Sequence, residues 1–467
     1  MVAYVAGNNA LGHIFDPAVG AGVFFRAAKA TAHNTSESPE LFGTEIDPGV
    51  LVQAQQTGLT VADLANVTIT DFVLNPPKRK FKAIVANPPY IRHHRLSPTM
   101  KKTLRALSEK VLGTTIDSRA GLHVYFLIRA LTLLDIDGRL SFIMPADTCE
   151  GIFAPVLWEW ITKHYRLDAV VTFTPDATPF PKVDTNPIIF MIRNASPETH
   201  FVWAQCIKPR TMELKAWISR GLKTPSGSTS LQAFRREITE GLATGLSRPP
   251  TSSHSPKKTL ADFARVMRGI ATGANSFFLL TRKQAAALGI PNQFLVAAIG
   301  RTRDAPGNKL THETMIQLEK RDRPTLLLML DKRPADQFPA TVREYLKKGE
   351  KLKLNRRPTL ATRKPWYRMD QRTIPPILFA YLGRRNVRFV RNYAQALPLT
   401  GFLGVYPHST DPVFVEKLWT ILRDPETIAN LKQVGKSYGR GCIKVEPHAL
   451  EKLPLPDRDV FQGPNSL

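Results

Sequence analysis

The most constraining feature of the sequence is an apolar run that ends directly in a double-proline turn, Ala83-Ile84-Val85-Ala86 followed by Asn87-Pro88-Pro89-Tyr90. A short β-branched run with such an ending predicts a buried strand whose carboxyl end opens into a rigid loop. In open α/β sheets, ligands bind outside the carboxyl ends of the strands. The stretch therefore predicts an α/β fold with a ligand site at this edge of the sheet.

The turn itself offers a small set of recognition groups. The Asn87 side-chain oxygen and the Pro88 carbonyl are two hydrogen-bond acceptors held close together, which suits an exocyclic –NH2 group. Tyr90 adds a flat face on which a planar ring can stack. A strand-ending proline turn with an ordinary aromatic is the alternative interpretation of these four residues taken alone.

A second turn, earlier in the chain, is rich in glycine. Residues 11–25 predict a strand, a glycine turn and then a helix. Gly20 and Gly22 allow backbone N–H groups to approach a ligand closely, as in other cofactor-binding first turns. A Gly-x-Gly pair is weak evidence, and the fuller pattern is much more specific: Asp16-Pro17-Ala18-x-Gly20-x-Gly22-x-Phe24.

Two further predicted strands end in acidic residues. Glu45 closes the strand that begins near Leu41, roughly 20 residues after the glycine turn, the offset at which a carboxylate accepts the hydroxyls of a ribose. A third strand ends in Asp71 and Phe72. We expect Asp71 to accept from an adenine amino group and Phe72 to lie near the ring. A strand-end carboxylate is more often a simple loop charge, and only its distance from the glycine turn favours the functional interpretation of Glu45.

Positive charge is segregated along the chain. Of the net charge of +25, almost all lies after residue 200: residues 1–200 contain 19 basic and 18 acidic side chains, and residues 201–467 contain 45 and 21. Such a surplus favours a polyanionic partner, most simply nucleic acid.

Length and composition indicate the class of protein. A chain of 467 residues with 43% hydrophobic residues is long enough for two or three globular domains. No apolar run approaches membrane-spanning length and no signal-peptide pattern is visible, so we expect a cytoplasmic protein with no membrane association. Cys149, Cys206 and Cys442 lack metal-ligand spacing, and neither a disulfide framework nor a metal site is predicted.

The order of these motifs resembles the S-adenosylmethionine-dependent N6-adenine DNA methyltransferases. More narrowly, it is similar to the gamma-class enzymes of type II restriction–modification systems, in which the cofactor motif precedes the catalytic motif and the recognition domain comes last. The likeness continues through a predicted helix and strand over residues 121–147, with His123 where the family usually carries an aromatic. It extends to the end of the chain, through Ser437-Tyr438-Gly439-Arg440-Gly441-Cys442-Ile443-Lys444 and Leu453-Pro454-Leu455-Pro456.

The resemblance implies a role for each motif residue. It implies S-adenosylmethionine as cofactor, contacted by Asp16, Ala18, Gly20, Gly22, Phe24, Glu45, Asp71, Phe72 and Asn87. The implied catalytic set is Asn87, Pro88, Pro89, Tyr90 and Phe180. In this set Asn87 and Pro88 accept from the amino group of an adenine flipped out of duplex DNA, and Tyr90 and Phe180 stack on it. Phe173 is the rival of Phe180, and no metal is needed.

The implied fold class is α/β. We expect a Rossmann-like S-adenosylmethionine methyltransferase domain with a central, mostly parallel twisted sheet over residues 1–200, and a C-terminal mixed α/β target-recognition domain over residues 259–467. Residues 201–258 are predicted to be a connecting segment and linker, with a helix over residues 231–246.

Basic and aromatic residues alternate in the predicted recognition domain. Residues 351–400 contain 12 Lys and Arg and one acidic residue, Asp370. The interleaved aromatics are Trp366, Tyr367, Tyr381 and Tyr393. This composition predicts phosphate contacts together with base stacking. The segment that opens the domain, Arg268-Gly269-Ile270-Ala271-Thr272-Gly273, resembles the start of the target-recognition domain in the same family and favours DNA over RNA or protein.

Three functions are consistent with these features. The first is a site-specific DNA adenine-N6 methyltransferase acting on double-stranded DNA, the modification enzyme beside a separate cognate restriction endonuclease. The second is a methyltransferase of RNA or of protein glutamine, whose amide –NH2 fits the same clamp. The third is a catalytically impaired DNA-binding homologue, because only about a dozen residues precede the first predicted strand, whereas gamma enzymes carry a helix and loop there that complete the methionine side of the pocket.

Overall fold

The computed structural model describes most of the chain: residues 1–7, 12–32, 39–181, 183, 185–209, 211–223, 230–250, 258–381, 387–438 and 442–456. The chain divides into two compact units. The first comprises residues 1–251 with 438–441, and the second comprises residues 252–437 with 442–467.

The first unit is built on one large sheet. Its strands are β1 (His13–Asp16), β2 (Glu40–Glu45), β3 (Asn66–Ile69), β4 (Phe81–Ala86), β5 (Leu134–Pro145), β6 (Arg166–Phe173), β7 (Pro187–Arg193), β8 (His200–Cys206) and β9 (Leu231–Glu237). The strand order is β3-β2-β1-β4-β5-β7-β6-β8-β9. Strands β1 to β5 pair in parallel, and β7 is antiparallel to both of its neighbours, β5 and β6. Because β6 is therefore parallel to β5, the carboxyl ends of β1 to β6 meet at one edge.

Helices cover both faces of this sheet. They are α1 (Val2–Ala6), α2 (Val23–Ala32), α3 (Pro48–Gln56), α4 (Pro98–Leu112), α5 (Leu122–Thr132), α6 (Asp147–Glu150), α7 (Ala154–His164), α8 (Thr211–Ser219) and α9 (Ile238–Thr244). Alternate strand residues point to opposite faces: Ile84 enters the core that contains α4, α5 and α7, and Val85 enters the core that contains α1, α2 and α8. A largely parallel sheet buried on both faces explains the near-continuous apolar strands.

The sheet extends beyond the predicted catalytic domain. The connecting segment predicted over residues 201–258 instead contributes β8, α8, β9 and α9 to the first unit. The helix predicted over residues 231–246 is wrong in its first half, where Leu231–Glu237 is a strand antiparallel to β8. Leu231 and Ala233 are buried and Gln232 and Phe234 are exposed, which is the period of a strand. The proline-rich part of the predicted linker lies largely outside the described residues.

The second unit is mixed α/β. Its strands are β10 (Ala264–Arg268), β11 (Leu279–Leu280), β12 (Leu295–Ile299), β13 (Lys309–Leu310), β14 (Leu326–Leu328), β15 (Ile377–Ala380), β16 (Arg388–Asn392), β17 (Leu397–Pro398), β18 (Phe402–Pro407), β19 (Lys436–Tyr438) and β20 (Cys442–Lys444). Its helices are α10 (Asn275–Phe278), α11 (Arg282–Ala287), α12 (His312–Lys320), α13 (Ala340–Lys351), α14 (Pro358–Ala361), α15 (Pro412–Leu422), α16 (Pro425–Val434) and α17 (Pro447–Glu451).

Two main sheets organise these elements, in the orders β10-β18-β15-β16-β13 and β11-β14-β12-β17. Helices α15, α16 and α17 pack on the first sheet, and α10 and α13 pack around the second. In the part of the chain that the structure describes, no helix combines the length and the apolar character needed to cross a membrane.

Candidate active site

The predicted motifs meet where the direction of the strand order reverses. From β1 the chain moves outward through β2 and β3, whereas β4 lies on the other side of β1 and continues to β5. Phe15 in β1 pairs with Ile84 in β4. The turn after Asp16 and the loop that begins at Asn87 therefore leave adjacent parallel strands at the same edge. This topological switch point is where doubly wound α/β folds bind their ligands.

The two glycines of the first turn, Gly20 and Gly22, are in different packing environments. Both have positive φ angles, 52° at Gly20 and 74° at Gly22. A Cβ on Gly22 would lie 2.3 Å from Leu59 Cδ1, so this position also requires glycine for packing. A Cβ on Gly20 would meet no atom closer than 3.9 Å. Gly20 therefore has room beside it, whereas Gly22 is packed against Leu59. The close ligand approach predicted for both glycines stays a prediction.

Glu45 closes the glycine turn from the end of β2. Its Oε2 accepts a hydrogen bond from the Gly20 N–H at 2.8 Å, and its Oε1 accepts from the Ile46 and Asp47 N–H groups at 2.8 and 3.1 Å. The carboxylate thus fixes the turn and the start of the next loop together. Oε1 already accepts two hydrogen bonds, but Oε2 accepts only one here and has a second lone pair, so the residue predicted to hold a ribose retains acceptor capacity for a hydroxyl group.

Asp16 lies behind the turn and is fully buried. Its Oδ1 accepts from the Ala18 N–H at 3.0 Å, and its Oδ2 has no hydrogen-bond partner among the described residues. Burial raises the pKa of Asp16 to about 7; the Ala18 N–H acts in the opposite direction and the nearby Glu45 charge adds to the increase. Ala18 itself is half-buried.

The third predicted cofactor motif separates into an accessible and a buried residue. Asp71 is half-buried, and its Oδ1 accepts from the N–H groups of Val73 and Leu74 at 2.9 and 3.1 Å. Phe72 is 2% exposed, and its ring packs 5.2 Å from the ring of Phe126 in the core. Its predicted place beside a cofactor ring therefore stays a prediction. Phe24, in α2, is half-buried on the opposite face of the sheet and packs against the core that contains α1, α2 and α8.

The Asn87 loop presents its acceptor outward. Asn87 is exposed, and its side chain forms no hydrogen bond with any residue that the structure describes. Pro88 is buried and Pro89 is half-buried, which holds the backbone between them in place. The Tyr90 hydroxyl donates to the Ile143 carbonyl of β5 at 3.0 Å. Burial raises the pKa of Tyr90, and the Asp147 carboxylate adds to the shift. One end of the Tyr90 side chain is thus anchored to the sheet.

A residue without an assigned role lies behind this loop. His123, near the start of α5, is 3% exposed, and its ring meets the Tyr90 ring edge to face at 6.0 Å. Neither ring nitrogen has a hydrogen-bond partner within the described residues, and Nε2 lies 3.7 Å from Asp147 Oδ1. Burial lowers the pKa of His123, while Asp147 acts in the opposite direction. The only signal in the sequence was a histidine within an otherwise apolar helix start.

The remaining catalytic candidate, Phe180, lies in the loop between β6 and β7. This loop leaves β6 at the same edge of the sheet as the Asn87 loop. The Phe180 N–H donates to Thr178 Oγ1 at 3.2 Å, and its side chain is half-buried. Its rival Phe173, the last residue of β6, is half-buried as well. Lys182 and Asp184 of the same motif lie outside the described residues.

Two of the aromatics predicted to stack on bases are core residues instead. Tyr367 is 4% exposed and its hydroxyl donates to the Arg333 carbonyl at 2.8 Å. Tyr381 is 8% exposed and its hydroxyl donates to the Thr400 carbonyl at 3.1 Å. Tyr393 is exposed, and the Arg391 guanidinium lies 4.8 Å from its ring. Of these three tyrosines next to basic residues, two therefore belong to the core of the second unit and one faces solvent.

Comparison with known proteins agrees with this arrangement. Residues 50–180 match the family model "Eco57I restriction-modification methylase", and residues 250–465 match "Type II methyltransferase M.Eco57I, C-terminal domain". Type II methyltransferase M.AccI of Acinetobacter calcoaceticus is 23% identical over 100% of this chain and 85% of its own length. M.XamI of Xanthomonas campestris pv. amaranthicola is 23% identical over 98% of this chain and 82% of its own length.

The chain belongs to the type II restriction–modification methyltransferases. As a member of this family it is an S-adenosylmethionine-dependent DNA methyltransferase, and the Rossmann-like α/β fold predicted from the sequence is confirmed. Among solved structures, the type IIL restriction–modification enzyme MmeI, described in complex with DNA, matches 95% of this methyltransferase with a TM-score of 0.58 and 12% identity. The match spans 62% of the length of the MmeI chain.

The residues at the switch point fit the expected cofactor. Gly20 borders open space, Glu45 retains acceptor capacity at the end of β2, and Asp71 uses only Oδ1 in the hydrogen bonds described above. Among the described residues, no three His, Cys, Asp or Glu side chains form a potential metal site.

Proposed function

We propose that this chain methylates the N6 amino group of an adenine in double-stranded DNA. The observation that carries the proposal is the Asn87 side chain at the switch point, which is exposed and forms no hydrogen bond within the described part of the chain, next to the Pro88 carbonyl and the anchored Tyr90. An acceptor pair beside a flat ring fits a planar heterocycle that carries an –NH2 group. Adenine is the base favoured by the motif resemblance.

In this proposal, residues at the ends of β1 and β2 would hold the cofactor. Glu45 binds the ribose hydroxyls while it keeps the glycine turn in place through the Gly20 N–H. Asp71 accepts from the amino group of the cofactor adenine through its Oδ2. Phe24, Ala18 and Phe72 shape the surrounding walls rather than contribute polar contacts. S-adenosylmethionine supplies an electrophilic methyl group when bound.

The clamp activates a weak nucleophile. The N6 lone pair of adenine is delocalised into the ring, and acceptance of both N6 hydrogens, by Asn87 Oδ1 and the Pro88 carbonyl, favours a more tetrahedral nitrogen with higher electron density. These acceptors are held in position by folding, so they need no rearrangement as positive charge develops on the nitrogen. As the N–C bond forms, the S–C bond of the sulfonium would break and sulfur would keep its electron pair, and the methylated nitrogen would then lose one proton to solvent. Asn87 Oδ1 and the Pro88 carbonyl accept the two N–H hydrogen bonds until that proton leaves.

The target base must leave the duplex to reach the clamp, so base flipping is part of the proposal. Tyr90 replaces one lost stacking contact with the base. The hydrogen bond from its hydroxyl to the Ile143 carbonyl holds the ring in position. Phe180 is proposed for the opposite face of the base, since its loop leaves the sheet at the same edge. Cleavage of unmodified DNA is assigned to a separate cognate endonuclease, because both matched family models describe parts of a methyltransferase.

Transfer of tritiated methyl from S-adenosylmethionine to unmethylated genomic DNA tests the proposal, with tRNA and a mixture of proteins as alternative acceptors. Asn87→Ala should lower the rate by about 10²–10³-fold, the usual cost of removing one preorganised polar contact at a reacting group. Asn75→Ala, which removes another exposed asparagine of the same unit, is the matched control and should leave the rate unchanged.

Label on DNA that depends on Asn87 supports the proposal. Label on tRNA or protein in place of DNA would reject the substrate, and equal rates for the two asparagine variants would reject the clamp. Binding of DNA without any transfer would instead favour the impaired DNA-binding homologue.

A further inference from the structure

One stretch of the second unit concentrates positive charge. Residues 345–369 contain nine Lys and Arg and a single acidic residue, Glu350. The stretch includes the end of α13, the 3-10 turn Leu354–Arg356, helix α14 and the loop that follows it. The charge is therefore carried by short elements that follow each other directly, and not by an extended tail.

Helix α13 separates its apolar and basic residues cleanly. Val342, Tyr345 and Leu346 are buried in the core of the second unit. Lys347, Lys348 and Lys351 are exposed, and Lys351 lies four positions after Lys347 and three after Lys348, the spacings at which helix side chains are neighbours. The basic side of α13 is thus directed to solvent because its opposite side supplies core residues.

The loop after α14 returns to this helix. Gly349 leaves room for Trp366: a Cβ there would lie 2.5 Å from Trp366 Cη2. Trp366 Nε1 donates to Glu350 Oε1 at 3.3 Å, which engages the single carboxylate of the stretch. Lys364 and Arg368, both exposed, flank this contact in the sequence and add to the charge beside α13. Arg357 is also exposed but donates to the Gly273 carbonyl at 3.3 Å. The other seven exposed basic residues form what we call the α13 surface: Lys347, Lys348, Lys351, Lys353, Arg356, Lys364 and Arg368.

Other arginines of the unit are already engaged. Arg363 donates to the Ala271 carbonyl, and Arg372 donates to the Arg268 carbonyl, so both fix the turn that follows β10. In contrast, no side chain of the α13 surface forms an ion pair or hydrogen bond with a described residue. The Lys and Arg side chains of segment 345–372 therefore fall into two groups. One group bonds to backbone carbonyls and stabilises the fold, and the other, the α13 surface, has no polar partner among the described residues.

We propose that the α13 surface binds the sugar-phosphate backbone of duplex DNA. This inference rests on the proposed function, since it names the surface through which the proposed substrate is held. Exposed Lys and Arg without intramolecular partners can release counterions when they meet phosphates, which provides affinity without sequence preference. Base reading is left to other parts of the unit.

The test measures how DNA affinity depends on salt. Fluorescence anisotropy of the full chain with a labelled duplex gives the slope of log K against log salt between 50 and 200 mM, with a change of about 0.9 expected for each lost phosphate contact. Lys347→Gln/Lys348→Gln/Lys351→Gln should reduce the slope by up to about 2.7, so that affinity falls about 40-fold less than for the wild type across this salt range. Lys283→Gln/Lys320→Gln/Lys332→Gln removes three exposed lysines elsewhere in the same unit and is the control matched in charge.

The outcomes separate this inference from the function. A smaller slope in the α13 variant alone, with an unchanged melting temperature, supports the surface. Equal slopes for both variants, or an unlabelled tRNA that competes better than unlabelled duplex, would overturn it. If the wild type methylates DNA while the slopes are equal, only the surface is rejected; if the wild type transfers no methyl to DNA, the proposed function fails independently.

Discussion

The glycine turn and the Asn87 loop leave neighbouring strands at the same edge, yet they treat their polar groups in opposite ways. The turn is closed by the chain itself, since Glu45 accepts from the Gly20 N–H and from two N–H groups of the next loop. Asn87 has no such partner among the described residues. Under the proposed function, the cofactor side would be completed by folding, whereas the base side would receive its hydrogen-bond partner from the substrate.

Each region also has one buried ionisable group behind it, and the two have opposite chemistry. Asp16 lies behind the turn with a pKa raised to about 7, and His123 lies behind the loop with a pKa lowered by burial. In both cases burial favours the neutral form, which for an acid is the protonated state and for a base is the deprotonated state. The two regions should therefore respond to pH in opposite directions.

The largest expected effect is that of Asp16→Asn on stability at alkaline pH. The folded pKa of Asp16 lies above its ordinary value of 3.8, so its contribution to stability is lost as pH rises from about 4 to about 7. The difference between a pKa of 3.8 and one of about 7 corresponds to about 4 kcal/mol of unfolding free energy. Asp16→Asn should therefore raise the unfolding free energy by up to this amount at pH 8 and by little at pH 4.

Urea unfolding at several pH values between 4 and 8 measures this gain. Asp176→Asn, at an exposed carboxyl, is the control and should change the unfolding free energy by less than about 0.5 kcal/mol. A gain from Asp16→Asn that does not vary with pH would show that the buried carboxyl is not protonated in the folded state.

Gly22→Ala should destabilise the turn by about 1–3 kcal/mol, because the added Cβ meets Leu59 and the φ of 74° is unfavourable for alanine. Gly12→Ala is the control, since a Cβ there meets no atom within 4 Å. Thermal unfolding compares the two. The double variant Gly22→Ala/Leu59→Ala should remove the clash with Leu59 but keep the unfavourable φ of 74°. A Gly22→Ala variant as stable as Gly12→Ala would contradict the packing role of Gly22.

Glu45→Gln should weaken S-adenosylmethionine binding about tenfold, or ~1.4 kcal/mol. The amide keeps one acceptor oxygen but turns an NH2 group toward backbone N–H donors that the carboxylate accepts. Calorimetry measures the affinity, and single-turnover transfer at saturating cofactor measures the chemical step, which should change less than twofold. A large loss in that step with unchanged affinity would place Glu45 in the clamp rather than on the cofactor side.

His123→Phe should have the smallest effect, about 1 kcal/mol in favour of the folded state, since the ring contact with Tyr90 is kept and two unpaired nitrogens are removed. The lowered pKa means that wild-type stability falls as pH drops below about 6.5, because the unfolded chain takes up the proton first. The advantage of His123→Phe over the wild type should therefore be larger at pH 5 than at pH 8, the reverse of the trend for Asp16→Asn. Unfolding curves of both variants at the two pH values test the comparison, which fails if the trends are parallel.

Much of the catalytic unit could be predicted because its signals are local. Apolar runs that end at Asp16, Glu45 and Asn87 are strands in the structure, and their order along the chain places these ends at one edge. The extension of the sheet through β8 and β9 was missed, since β9 follows a Ser- and Gly-rich stretch and its alternation over Leu231–Glu237 is short.

The side-chain contacts could not be predicted. The sequence offers no sign that Glu45 bonds to Gly20, that Phe72 enters the core or that His123 lacks a partner, because these depend on the packing of residues from 25 to 54 positions away. Composition in the second unit was ambiguous for a similar reason: Tyr367 and Tyr393 lie in equally basic surroundings, but only tertiary structure decides that the first is buried and the second exposed.

Identification of the methylated nucleoside decides whether the N6 amino group of adenine is the methyl acceptor. Unmethylated duplex DNA is incubated with the wild-type chain and S-adenosylmethionine, digested completely and analysed by nucleoside mass spectrometry. We expect N6-methyladenine in the wild-type sample and none in the Asn87→Ala sample. Methylated cytosine in place of methylated adenine, or N6-methyladenine at the same level with Asn87→Ala, would contradict it.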